Sequence, residues 1–405
     1  MHYMNNAKHY PYVNMYDTPK QYMNRDQCFD NDFTQGVHLL PTDLWAEITG
    51  ETVSTSVLSQ ICNLTYKNSI NDQIVKMSSI SSESLEYVTK AKDRNGSRQL
   101  QQEIEEGDQE LRNKIFQALY PCLNDLIFDS AANYVIQKLC EIASPEQQNA
   151  LLEFFLPIAK IATDHQSGCR VLQKFLENTN PENVDRIYLK LAPYTVSLSH
   201  SQNGNHIIQR FIIALPKRIN EIVDAIQGYF NELVIDNCGC RVVQKLFECC
   251  DISNLSVLVN EVHKDPVELA INQYGNYVIQ NILEHGPNED VSKLISSFHG
   301  HFYDFSIHKF ASNVMEKCIK RATSEQRNYI FEEIIGKENN YYFHRIDMLV
   351  RNQFGNYVIQ RILEYGTPEQ QNAIFEAVNQ DYNSLSQEGY AKHVISKLFS
   401  LGFNF

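Results

Sequence analysis

Positive charge is scarce in this chain. Its 405 residues include 35 Lys and Arg against 49 Asp and Glu, which gives a formal net charge of −14. Proteins that bind polyanions nonspecifically owe their affinity to an excess of positive charge, so this balance argues against that class. The negative net charge remains compatible with a local stripe of basic residues on the surface.

Long apolar segments are also missing. The N-terminal residues MHYMNNAKHY lack the apolar region of a signal peptide. The most apolar stretch, LLEFFLPIAKIA from Leu151, contains Glu153 and Lys160 and is too short to span a bilayer. We therefore expect a soluble, cytoplasmic protein that does not contact a membrane.

Motifs of metal sites and of common enzymes are absent from the sequence. Cys238, Cys240, Cys249 and Cys250 lie close together, but none of the ten cysteines belongs to a CxxC pair. Free thiols in a reducing compartment are therefore a better interpretation than a zinc site. The sequence also has no phosphate-binding loop, HExxH or GxSxG. We expect neither an enzyme nor a cofactor.

Composition divides the chain into two parts. Residues 1–60 are rich in Tyr, Asn, Asp and Met without a sustained period, so we predict a low-complexity, disordered segment. Residues 61–405 are predicted to form the folded domain. The segment that starts at Ser56 fits no position of the repeat described next.

One motif of fifteen residues occurs twice in nearly identical form. NQYGNYVIQNILEHG begins at Asn272 and NQFGNYVIQRILEYG at Asn352, with twelve of fifteen positions identical. Related phrases recur along the chain, each with a small Gly or Ala followed by what we term the marker residue. The markers are Ser97, Asn133, Cys169, Asn205, Cys240, Asn276, Ser312 and Asn356, at intervals of 36, 36, 36, 35, 36, 36 and 44 residues.

A period of about 36 residues predicts a stack of helical repeats. Apolar residues after each marker have helical spacing, as in Val278, Ile279, Ile282 and Leu283. One such unit cannot bury its apolar face alone, whereas stacked units share a continuous core, so we predict a curved α-solenoid. A degraded ninth copy begins at Lys392, and the eight extra residues before the eighth copy are expected to form a loop within residues 339–347.

Two further positions vary within a small set of residue types. The residue four after the marker is an amide seven times and a carboxylate once; these residues are Gln101, Gln137, Gln173, Gln209, Gln244, Gln280, Glu316 and Gln360. The residue directly after the marker is planar in every repeat; these residues are Arg98, Tyr134, Arg170, His206, Arg241, Tyr277, Asn313 and Tyr357. Marker and marker+4 are neighbours on one helix face, which we expect to be exposed because it is polar.

This pattern suits nucleobases. Amides can bond to base edges, and planar side chains can stack on bases. Basic residues often follow at marker+5, namely Lys138, Lys174, Arg210, Lys245, Lys317 and Arg361. They could contact phosphates, or they could pair with local glutamates such as Glu141, Glu177 or Glu284.

The pattern resembles the Pumilio (PUF) family of RNA-binding proteins from about Leu85 to the C-terminus. The resemblance implies an all-α, right-handed curved solenoid of eight three-helix repeats with flanking partial repeats. It also implies that each repeat reads one base, with the last repeat taking the 5′ base.

The resemblance assigns a base to each triplet of marker, marker+1 and marker+4. It implies uracil for Asn356, Tyr357 and Gln360, for Asn276, Tyr277 and Gln280, for Asn205, His206 and Gln209, and for Asn133, Tyr134 and Gln137. It implies adenine for Cys240, Arg241 and Gln244, for Cys169, Arg170 and Gln173, and for Ser97, Arg98 and Gln101. It implies guanine for Ser312, Asn313 and Glu316, so that the site is 5′-UGUAUAUA-3′.

The resemblance further implies a monomeric repressor that binds the 3′ untranslated regions of messenger RNAs. It would recruit deadenylation or translation factors, for which the convex face and residues 339–347 are candidate surfaces. Two alternatives stay open: a protein-binding scaffold of the HEAT or armadillo type, and a nucleolar PUF-like protein that acts on ribosomal RNA. The polar triplets favour the repressor that binds messenger RNA over both alternatives.

Overall fold

The computed structural model describes residues 81–336 and 339–405, except for the side chains of Ser253 and of residues 339–343. Within these residues the secondary structure consists of helices and no strands. The predicted disordered segment 1–60 and the segment from Ser56 lie outside the described residues. The proposed boundary between residues 60 and 61 therefore stays a prediction.

Each marker lies in the first turn of a helix, which we term the middle helix of its repeat. The eight middle helices span Arg94–Glu106, Ala132–Ile142, Gln166–Asn178, Gly204–Ala214, Gly239–Cys249, Gly275–His285, Ala311–Arg321 and Gly355–Tyr365. Middle helices of successive repeats pack against one another along the whole series. The marker spacing therefore predicted the repeat architecture correctly.

A first helix precedes and a third helix follows each middle helix. The first helices are Ser82–Lys92, Leu123–Leu126, Ala159–Asp164, Thr195–Ser199, Phe230–Ile235, Pro266–Ile271, Phe302–Ile307 and Asn339–Arg351. The third helices are Gln109–Leu119, Pro145–Phe155, Pro181–Leu191, Ile219–Ile226, Ser256–Val262, Asn288–Ser297, Ser324–Ile335 and Pro368–Gln380. Short 3-10 helices join some of them, at Tyr120–Cys122, Ala192–Tyr194, Pro216–Arg218, Gln227–Tyr229 and Ile252–Leu255.

The predicted loop in repeat 8 is wrong. Residues 339–347 belong to the helix Asn339–Arg351, which has 13 residues where the first helix of repeat 7, Phe302–Ile307, has 6. Both helices end five residues before their markers, so the additional residues extend the helix at its N-terminal side. An insertion that continues a helix keeps the register of everything that follows it.

A polar residue four positions before each marker holds the start of the middle helix. In repeat 5, Asp236 Oδ1 accepts hydrogen bonds from the backbone N–H groups of Cys238 and Gly239, at 3.0 and 2.6 Å. The equivalent residues accept in the same way in the other repeats, namely Asp93, Asp129, His165, Ser201, Asn272, His308 and Asn352. These N–H groups have no partner within the helix, so the side chain supplies one.

Glycine before the marker permits a close approach of two helices. A Cβ on Gly239 would lie 2.8 Å from the carbonyl oxygen of Leu233, in the first helix of the same repeat. A Cβ on Gly355 would lie at the same distance from the oxygen of Leu349. Real Cβ atoms do not approach so closely, so the turn between the first and middle helices needs a residue without a side chain here.

The core is one continuous apolar cluster that runs from Ala91 to Leu398 and includes residues of every repeat. Beyond repeat 8, the degraded ninth copy forms a helix, Ala391–Ser400. The ring of Phe405 lies 4.5 Å from that of Tyr382 and 5.1 Å from that of Phe375. Through Phe375, this aromatic cluster packs the C-terminal residues against the third helix of repeat 8.

Candidate nucleic-acid interface

The markers are buried, which contradicts the expectation of an exposed polar face. Asn356 is fully buried, and the other seven markers expose between 1 and 5% of their surface. The side chains at marker+4 are partly exposed. The marker+4 side chain is therefore the more exposed member of each pair.

Asparagine markers are fixed by hydrogen bonds at both ends of the amide. Asn356 Nδ2 donates to the backbone oxygens of Asn352 and Gln353, both at 3.0 Å. Its Oδ1 accepts from Gln360 Nε2 at 3.1 Å. The same link from marker+4 to marker forms at Asn133, Asn205 and Asn276, at 2.9, 2.9 and 2.8 Å. In all four predicted uracil triplets, the buried amide thus orients the Gln that faces outward.

Two of the serine and cysteine markers bond across to the next repeat instead. Ser97 Oγ donates to the carbonyl oxygen of Ala131 at 2.8 Å, and Cys169 Sγ donates to that of Asn203 at 3.3 Å. Both acceptors lie two residues before the following marker. Gln173 Nε2 donates to Cys169 Sγ at 3.1 Å, so sulfur takes the role of the amide oxygen there. Burial raises the pKa of the Cys169 and Cys240 thiols to about 11 each, so both are neutral donors at physiological pH.

The marker+1 side chains point outward. All eight are exposed, and the tyrosines Tyr134, Tyr277 and Tyr357 leave 45 to 50% of their surface open. Burial, together with the charges of Arg241 and Arg170, lowers the pKa of His206, so its ring is neutral near pH 7. The result is a row of exposed planar groups, one per repeat, beside the row of marker+4 side chains.

Repeat 7 differs because it carries the only carboxylate in the marker+4 row. Glu316 Oε2 accepts a hydrogen bond from Arg361 Nε at 2.9 Å. Arg361 follows Gln360 in repeat 8, and it also bonds to Glu364. Although burial lowers it, the two glutamates raise the pKa of Arg361, so the guanidinium stays charged.

The predicted basic stripe is largely an ion-pair ladder. Lys138 and Lys174, from repeats 2 and 3, donate to the two oxygens of Glu141 at 3.1 and 3.2 Å. Burial opposes the charged form of Glu141, but these two ammonium groups hold its pKa below the usual range. Lys317 pairs with Glu284 at 2.8 Å in the same manner. The alternative of local ion pairs is therefore the arrangement present in this structure.

Three periodic features combine at each repeat: a buried marker, an outward amide or carboxylate, and an exposed planar group. The sequence pattern identified all three positions, but it did not predict the burial of the marker and it missed the position four before the marker. The signal was available, because Asp, Asn, His or Ser occupies that position in all eight repeats. Such a residue before an apolar helical pattern is a known sign of a helix start.

Other functional sites are not evident in the described part of the chain. Within it, no group of three or more His, Cys, Asp or Glu side chains is arranged to hold a metal ion. None of the helices there combines the length and apolarity that a bilayer crossing requires.

A family model matches this pattern. The model for the Pumilio-family RNA-binding repeat matches eight times, and each match contains one marker. The matched residues are 91–119, 125–153, 165–192, 194–226, 229–263, 267–298, 301–335 and 345–378.

Solved structures with the same fold are RNA complexes. The structure of PUF-8 in complex with PBE-RNA is 29% identical with a TM-score of 0.68, covering 77% of this chain and 92% of that one. The Puf3 RNA-binding domain bound to a Cox17 RNA 3′ UTR site is 28% identical with a TM-score of 0.71, covering 78% and 94%. The RNA-binding domain of yeast Puf5p bound to SMX2 RNA is 26% identical with a TM-score of 0.59, covering 81% and 99%.

One curated relative is similar over a part of the chain. Suppressor protein MPT5 of Saccharomyces cerevisiae is 30% identical over 105 residues, which make up 25% of this chain and 12% of that protein. The eight matched repeats, the helical solenoid and the related RNA complexes lead to one conclusion. The chain belongs to the Pumilio family of RNA-binding PUF-repeat proteins.

Proposed function

We propose that this protein binds single-stranded RNA with the sequence 5′-UGUAUAUA-3′ or a close variant. The observation that carries the proposal is the row of eight marker+4 side chains, each beside an exposed planar residue, in register along the solenoid. A base that stacks on the planar side chain would present its edge to marker+4.

The chemistry of the row supports the order of bases. Guanine presents two adjacent donors, N1–H and N2–H₂, and one carboxylate can accept both; Glu316 is the carboxylate of the row. Uracil presents an acceptor, a donor and an acceptor, which suit the paired amides of Asn and Gln. Adenine lacks the O2 acceptor of uracil, and a small Ser or Cys replaces Asn in those three repeats.

We further propose that the RNA lies in 3′ untranslated regions of messenger RNAs and that binding represses them in the cytoplasm. A Puf3 complex with an RNA of this kind supports the first part. The chain offers no catalytic motif in its sequence, so repression would rely on recruited deadenylation or translation factors.

The partner surface would include the convex face and the extended helix Asn339–Arg351 of repeat 8. That surface is helical rather than a loop, which suits a partner that docks along a helix. If a variant with the helix shortened to the length found in repeat 7 recruits the same factors, this part of the proposal is wrong.

Fluorescence anisotropy with labelled RNA tests the binding proposal. Tight binding of UGUAUAUA and loss of binding to ACAAUAUA, at near-physiological salt, would support base reading. Weak and equal binding of both would refute it. That result would favour a protein-binding scaffold or a nucleolar protein that acts on ribosomal RNA.

A further inference from the structure

Glu316, the proposed guanine reader, is held by a cation that belongs to the next repeat. Arg361 Nε bonds to Oε2 of Glu316 at 2.9 Å, while another nitrogen of the same guanidinium bonds to Glu364. The side chains of Arg361 and Glu316 expose 38 and 23% of their surface. The contact is therefore partly shielded from solvent and fixed at both ends of the guanidinium.

The sequence explains why the side chain of Arg361 turns toward the marker+4 row. In repeats 2, 3 and 7, Lys138, Lys174 and Lys317 each pair with a glutamate eight residues after the preceding marker, at 3.4, 3.2 and 2.8 Å. In repeat 7 the residue eight after the marker is Lys320 instead of a glutamate. Arg361 thus lacks the usual acceptor from the preceding repeat, and it bonds to Glu316.

The bond leaves Glu316 able to accept from a base. A carboxylate has about four lone-pair sites, and Arg361 occupies one of them on Oε2. Guanine requires two acceptor sites side by side. A bound arginine also limits the rotation of the carboxylate when a base covers it and removes water.

We propose that Arg361 is a positioning residue for guanine recognition, so that two repeats select the second base together. Repeat 7 supplies the carboxylate that contacts the base, and repeat 8 supplies the cation that orients it. This inference rests on the proposed function and adds a determinant of specificity outside the triplet of repeat 7.

The first test is the variant Arg361→Gln with UGUAUAUA and UAUAUAUA. We expect the preference for guanine over adenine to fall about tenfold, which lies within the roughly 5- to 150-fold effect of one wrong base. The preference at the third base, measured with UGAAUAUA, should stay unchanged. Arg361→Lys keeps the charge and should recover part of the guanine preference.

Two further variants separate positioning from other roles. Lys317→Gln breaks an inter-repeat ion pair of the same kind, that with Glu284, and should change the affinity for both RNAs alike. In a Glu316→Gln background, Arg361→Gln should no longer alter the ratio of the two affinities. Thermal unfolding of each variant checks that the fold is intact.

Other outcomes would overturn the inference. An unchanged ratio for Arg361→Gln would show that Glu316 needs no support from repeat 8. Equal weakening of all RNAs, with a shallower salt dependence, would assign Arg361 to a phosphate contact. Failure of the wild-type protein to prefer UGUAUAUA over ACAAUAUA would instead refute the proposed function, so the two failures are distinguishable.

Discussion

The asparagine markers are already satisfied before RNA binds. Asn356 uses both amide hydrogens on backbone oxygens and its Oδ1 on Gln360. A uracil would therefore exchange hydrogen bonds with an existing network. A wrong base leaves that network intact, so we expect a mismatch at a uracil position to cost about 1 kcal/mol, at the lower end of the usual range.

Repeat 7 offers a test of single-residue control over base choice. Ser312→Asn with Glu316→Gln recreates the pairing found in the four predicted uracil triplets. We expect the double variant to bind UUUAUAUA about tenfold more tightly than UGUAUAUA, because guanine would lose the acceptor of its two donors. Competition binding with the two RNAs measures this ratio.

The control for this switch is Glu316→Gln alone. It should weaken binding of UGUAUAUA without creating the full preference for uracil, because Ser312 lacks the amide that orients Gln in the uracil triplets. A double variant that still prefers guanine would show that the base assignment of repeat 7 is wrong.

The spacing of the repeats in the sequence was sufficient to place the markers on their helices. It was not sufficient to predict how deeply their side chains are buried. Asn133, Cys169 and Ser312 all fall in the first turn of a middle helix, as predicted. Their burial was not predicted, because polarity alone suggested a solvated face. Burial depends on how neighbouring helices pack, which the spacing of residue types along the sequence does not specify.

Among the helices, the start of each middle helix is the feature that sets the position of the row. The polar residue four before the marker accepts from the first free N–H groups, and its backbone oxygen accepts from an asparagine marker, as between Asn272 and Asn276 at 2.7 Å. One residue therefore orients both the helix and the marker.

Asp236→Ala should destabilise the protein by about 1 kcal/mol, because two N–H groups at the start of a helix lose their acceptor. Asp236→Asn is the matched control, since the chain itself uses Asn at this position in repeats 6 and 8. Chemical denaturation measures the free energy of unfolding. Equal stability of the Ala variant and the wild type would contradict the role assigned to Asp236.

The helix Asn339–Arg351 shows what spacing cannot decide. An interval of 44 residues in place of 36 requires an insertion, but a count does not distinguish a loop from a longer helix. The residues that follow the insertion kept their register because it lengthens the helix at its N-terminal side. In the first repeat, Gln99 stands where the other repeats have Val or Ile, and the middle helix Arg94–Glu106 forms with Gln99 exposed.

At the scale of the whole molecule, the excess of negative charge extends to the surface beside the marker+4 row. Carboxylates such as Glu141 and Glu284 neutralise the cations beside the marker+4 side chains. Base contacts rather than net attraction for phosphates would then supply most of the affinity. This arrangement favours selectivity, because the nonspecific electrostatic contribution is small.

The salt dependence of RNA binding should accordingly be shallow. We expect the logarithm of the association constant to fall as the logarithm of the salt concentration rises, with a slope no steeper than about −2. For a single strand, this slope corresponds to about three phosphate contacts. Anisotropy titrations from low to high salt measure it.

Glu141→Gln should steepen this slope, because it removes the carboxylate shared by Lys138 and Lys174. A wild-type slope of about −4 or steeper would mean that the cations leave their glutamates to bind phosphates.

The bond between Arg361 and Glu316 limits how far the protein can be treated as interchangeable parts. Most repeats carry their own helix start, their own marker and their own outward amide. Such a repeat could be moved to another position and keep the base preference proposed for it. Contacts between successive repeats are common, but the one between repeats 7 and 8 reaches a marker+4 side chain, Glu316. A design that moves repeat 7, the repeat proposed to read guanine, to another position should transfer repeats 7 and 8 together.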